Sequence, residues 1–87
     1  MNYLAVFNDT HDAMHTESVV KKNKVKGRMV GTPETISAAC GLSLRFPEEA
    51  LEEMKQIISS LSFASQVEIY AIIEKEDGAI KYELCKE

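Results

Sequence analysis

A chain of 87 residues has room for one core and one site, because a domain of that size buries only roughly 60% of the surface its unfolded form exposes. Hydrophobic residues at 45% and charged residues at 28% exclude a wholly disordered or coiled-coil chain. The net charge of -4 removes the attraction behind nonspecific binding to nucleic acid or an anionic membrane surface, so neither is an expected partner.

The longest early apolar run, Tyr3 to Phe7, is far below the ~20 residues a bilayer demands and too short for a signal-peptide core, so a cytoplasmic location is expected. Two cysteines, Cys40 and Cys85, make no disulfide framework, and reduced thiols are the default. With no internal repeat, low-complexity segment or linker, residues 1–87 are expected to form a single domain.

Tyr3 to Phe7 is rich in strand formers and reads as a central first strand. Asn8-Asp9-Thr10 supplies capping residues, with Asp12 three positions after Asp9, and predicts a helix to about Asn23 with an apolar face of Ala13, Thr16 and Val20. Val25 to Val30, interrupted by Gly27 and decorated with Lys24, Lys26 and Arg28, suits an edge strand protected by charge. After the irregular stretch Glu34 to Gly41, Leu42 to Phe46 alternates as a half-buried strand. Pro47 with Glu48 and Glu49 opens a second helix, whose stripe is Ala50, Leu51, Met54, Ile57, Ile58 and Leu61. Val67 to Ile73 alternates as a fourth strand, and Asp77-Gly78 is a hairpin turn into Ile80 to Leu84. The order predicts an α+β fold, a ferredoxin-like split β-α-β-β-α-β sandwich with a C-terminal β-hairpin extension.

In that topology the loop after the first strand, Asn8 to Asp12, meets the loop before the third, Pro33 to Gly41, at one end of the sheet. The connection Phe63 to Gln66 arrives there too. Cys40 lies in this loop, within Ile36-Ser37-Ala38-Ala39-Cys40-Gly41-Leu42. Small neighbours let a partner approach, and Gly41 allows a backbone that aims amide groups at one point. The residues equally admit a small buried cysteine capping the core. Cys85, two residues from the terminus, is expected to have no role.

His11 and His15 share a face of the first helix, but no further ligand accompanies them at convincing spacing, and no metal is expected. His11 can reach the Cys40 loop and lower its thiol pKa, though an exposed histidine is the simpler reading. Thr35, Ser37 and Ser43 can hydrogen-bond a sulfur, although loop residues of this type more often satisfy their own backbone. Arg45 stands five strand positions, about 16 Å, from Cys40, too far for a direct counterion.

The segments Asn8-Asp9-Thr10-His11-Asp12-Ala13 and Pro33 through Phe46, above all Ser37 to Arg45 with its Cys40-Gly41 pair, resemble those of the selenium/sulfur carrier-like family of small bacterial proteins. The resemblance runs from about Tyr3 to Tyr70, with the hairpin Asp77 to Leu84 beyond it. It implies a carrier cysteine at Cys40, with Gly41, Thr10, His11 and Ser37 in support. The expected function is a carrier that holds sulfur or selenium as a persulfide-type adduct on Cys40 and exchanges it with donor and acceptor proteins, without a bound cofactor. The alternative is a noncatalytic small-molecule-sensing or protein-interaction module. A thiol oxidoreductase ranks third, lacking a resolving cysteine near Cys40 in sequence. Apolar Tyr70 and Ile72 on the open sheet face predict a homodimer.

Overall fold

A computed structural model describes residues 1–36 and 41–85. Five strands form one antiparallel sheet in the order β2-β3-β1-β4-β5: β1 (Asn2–Val6), β2 (Arg28–Gly31), β3 (Leu42–Pro47), β4 (Glu68–Glu74) and β5 (Ile80–Leu84). Two helices, α1 (Thr10–Lys22) and α2 (Leu51–Ser59), join β1 to β2 and β3 to β4. β1 lies between β3 and β4, with Ala5 opposite Leu44 on one side and Ile69 on the other.

Alternation along these strands divides the apolar residues between two faces. Ala5 and Phe7 with Leu44 and Phe46 pack under Ala13 and Val20 of α1 and Met54 and Ile58 of α2, and this cluster is the main core. The expected stripes hold: Ala13, Thr16 and Val20 are buried on α1, and Met54 and Ile58 on α2. Thr16 is tolerated at full burial because its hydroxyl donates to the Asp12 carbonyl at 2.8 Å.

Several boundaries differ from the sequence reading: β1 and β4 are each displaced by one residue from Tyr3 to Phe7 and Val67 to Ile73, and three larger shifts have a visible cause. β2 starts at Arg28 rather than Val25, because α1 ends in a left-handed turn. Lys24 has φ 57, its N–H reaches the Lys21 carbonyl, and the Val25 N–H reaches that of Val20 at 3.0 Å. This Schellman pattern places Val25 beside Val20 in the core instead of in a ladder. The second helix begins as a 3-10 turn, Glu48–Ala50, and reaches α geometry only at Leu51. It stops at Ser59, whose hydroxyl, like that of Ser60, turns back onto a carbonyl of the last turn.

The open face corrects the premise of the dimer. Ile72 is only 5% exposed, clustered with Leu4, Val6 and Ile36, with Tyr70, Tyr82 and Val30 packed around them. Ile36 comes from the chain that leaves β2 and packs over Leu4, Val6 and Ile72 within one chain, while Ile80 and Leu84 of β5, on the same face, stay exposed. Beside it, the hairpin forms as predicted: Gly78 at φ 87 supplies the left-handed residue of a three-residue loop closed by the Lys75 N–H on the Ala79 carbonyl at 2.8 Å.

Candidate functional site

The end of β1 hands the chain to α1 through Asn8 and Asp9. Asp9 is the N-cap, in extended conformation, and its carboxylate accepts the His11 N–H at 2.7 Å. Asn8 donates its side-chain amide to Gln66 Oε1 at 3.4 Å, which joins the Asn8–Asp12 loop to the 3-10 turn Ala64–Gln66 ahead of β4. These two loops therefore converge, as their sequence positions predict.

The third loop reaches the same end. Val6 pairs with Ser43, and Gly31 with Leu42, so β2 finishes and β3 starts beside the end of β1. The Thr32 N–H donates to the Gly41 carbonyl at 2.9 Å, and the Thr32 and Ser43 hydroxyls share a hydrogen bond at 2.7 Å. Ser43 is fully buried, and this bond satisfies its hydroxyl. On the other side, the Ile36 N–H closes a turn on the Pro33 carbonyl, while the Ile36 side chain is buried in the open-face cluster. The loop is thus anchored at both flanks. Ser37 and Cys40, the loop residues expected to act, lie outside the described residues.

The supporting residues fall unevenly. Thr10 opens α1 at the converging end. The His11 side chain is 95% exposed and leans toward its own helix cap, with Nδ1 3.4 Å from Asp9 Oδ1. His15 meets the Phe63 ring edge-on at 6.2 Å between centroids. Gly41 is exposed, and a side chain added there would meet nothing within 4 Å. Among the described residues no group of three or more His, Cys, Asp or Glu could hold a metal ion.

Sequence reasoning passed over Cys85. It follows directly on β5, which runs antiparallel to β4 with Leu84 opposite Tyr70, and its N–H donates to the Ile69 carbonyl at 2.8 Å. The free, partly buried thiol therefore lies at the loop end of the sheet, at a cleft lined also by Lys55, Ile58, Ala64 and Val67. The Asp77-Gly78 turn, which sets the hairpin register, was the signal that could have located it. Across the sheet β5 is three strands from β3, about 14 Å at the usual spacing.

A family model described as putative Se/S carrier protein-like matches residues 2–74. The chain belongs to this family. The match covers β1 through β4 and stops at Glu74, the last residue of β4, so the β5 hairpin lies beyond the matched residues. Searches of curated proteins and of solved structures returned no match. Among the described residues, no helix is long and apolar enough to cross a membrane.

Proposed function

We propose that the chain acts as a single carrier domain, accepting sulfur or selenium on Cys40 and passing it to an acceptor protein. Family membership supports a selenium or sulfur cargo. The observation that supports Cys40 as its seat is the anchoring of the flanks: Ile36 is buried on the open face and Gly41 is bonded to Thr32, Gly41 at the end of the sheet where Asn8 and Gln66 also meet. A tether of that kind lets a reactive group be offered to a partner at limited entropic cost.

The chemistry is thiol exchange. The Cys40 thiolate attacks the terminal sulfur of a donor persulfide, forming Cys40–S–SH as the donor's S–S bond breaks and its thiolate leaves. An acceptor thiolate then attacks that terminal sulfur in turn, taking it and returning Cys40 as thiolate. Each step moves one neutral sulfur and needs no oxidant, reductant or cofactor. Thr10, His11 and Ser37 are assigned to support the thiolate and its cargo, and Gly41 to let backbone amides aim at it. A reduced thiol suits the cytoplasm.

We read the strand order as a ferredoxin-like arrangement with β5 appended to the β4 edge. With Ile36 packed on Ile72, a homodimer on this face would form through the exposed Ile80 and Leu84 of β5. Intact mass after incubation with a persulfide donor tests the proposal. One added sulfur in wild type and in Cys85→Ser, absent in Cys40→Ser, is expected. No adduct, or an adduct that persists in Cys40→Ser, would contradict it, and the former would favour an interaction module.

A further inference from the structure

Away from the loops, the open face carries two cations without an anion. Arg28 of β2 and Arg45 of β3 are directly opposed in the antiparallel ladder, so their side chains leave the same face with Cβ atoms about 5 Å apart. The partner of Arg45 on β1 is Leu4, a member of the open-face cluster, which identifies that face. Like charges so placed destabilise a ladder. A chain of net charge -4 has carboxylates enough to relieve them, yet those nearby in sequence are engaged elsewhere. Glu48 lies 3.6 Å from the Met1 ammonium, and Glu49 lies 3.2 Å from Lys26. On the open face itself Glu68 accepts the Tyr70 hydroxyl. Neither arginine has an ion pair among the described residues.

Arg28 and Arg45 line a shallow concavity of about 440 Å³ with Asn2, Gly27, Phe46 and Pro47. β2 is the edge of the sheet, so the concavity opens to solvent. We propose that it binds a small tetrahedral dianion, either inorganic phosphate or sulfate or the terminal phosphate of a small ester, between the two guanidinium groups. Each guanidinium is a planar fork of five N–H donors. A single carboxylate is satisfied by one fork, whereas a tetrahedral dianion offers oxygens to both and carries the charge that two cations need. The Asn2 amide is a neutral donor on the same wall. Arg45 stands four strand positions from Gly41, about 13 Å, so this site stands independently of the carrier reading.

The test is titration of the full chain with phosphate, sulfate and glycerol phosphate at ionic strength held constant with chloride, followed by amide and guanidinium NMR signals. Saturable shifts at Arg28, Arg45 and Asn2 are expected, with none from chloride. Arg28→Gln and Arg45→Gln should each weaken binding about tenfold or more, while Lys26→Gln, whose cation already has a partner, should leave it unchanged. Without dianion both arginine variants should melt no lower than wild type, since a repulsion is removed, and the dianion-induced rise in Tm should need about tenfold or more dianion in both. A preference for the ester would identify a phosphorylated small molecule and a preference for the free ion an inorganic oxyanion, and either upholds the site. No saturable shift, an equal response to chloride, or unchanged binding in the two glutamine variants would overturn it.

Discussion

The two faces of the sheet are covered by different means and to different extents, Ile80 and Leu84 staying exposed on the open one. Under the helices, Phe7, Leu44, Phe46 and Met54 are each no more than 1% exposed, and the residues packed on the sheet come from two periodic helical stripes. On the open face Leu4, Val6 and Ile72 are nearly as well buried, but Ile36, an isolated apolar side chain from an irregular loop, joins them from outside the sheet. A periodic element supplies redundant contacts, whereas a loop supplies few. The first face therefore governs whether the chain folds, and the second governs how the segment running toward Cys40 is held.

The largest effect should come from the helical face. Phe46→Ala is expected to cost about 3–5 kcal/mol by urea unfolding, enough to leave a domain of this size barely folded. Ile36→Ala should cost about 2 kcal/mol, at the low end for such a truncation because a loop can settle into the space. A loss within about 0.5 kcal/mol, the ordinary range of a surface substitution, would break the comparison by showing that Ile36 does not hold the open-face cluster.

The smallest effect is a pH dependence. Burial, and then the nearby Glu68 carboxylate that accepts its hydroxyl, hold the Tyr70 phenol above its ordinary ionisation. The folded chain keeps this proton more tightly than the unfolded one, so the contribution is fully present below about pH 10 and is lost as pH rises through the higher folded value. Wild type should lose stability above about pH 10 more steeply than Tyr70→Phe. Equal slopes would mean that Tyr70 is no better shielded than a free phenol and would loosen the account of the open face.

Much of this was legible from residues alone. The run Tyr3 to Phe7, the Met54-Ile58 stripe and the Asp77-Gly78 turn each carry a local signal, and together they predicted where Asn8 and Gln66 would meet. Ile36 carries no such signal: one apolar residue among Thr35 and Ser37 has no period, and only the tertiary path of the loop gives it a partner. The β2 boundary failed for a related reason. Lys24 takes a left-handed turn that its residue type does not advertise, and Val25 is drawn into the helix cap. Because that shift also sets which residues face one another, the Arg28-Arg45 pair could not be read from spacing. Of the candidate site, the flanking positions could be tested, while Ser37 and Cys40 lie outside the described residues.

The central claim is that Cys40 both holds a sulfur and gives it up, and the discharge step tests it most directly. Labelled terminal sulfur would be loaded onto the Cys85→Ser chain, excess donor removed, and an acceptor thiol added while mass spectrometry follows both molecules. The account predicts attack at the terminal sulfur, so that the label appears on the acceptor as Cys40 returns to a free thiol in equal amount. Attack at the sulfur of Cys40 itself would instead release labelled sulfide and leave the acceptor joined to Cys40 by a disulfide. That product, or a label that stays on the chain, would contradict a carrier.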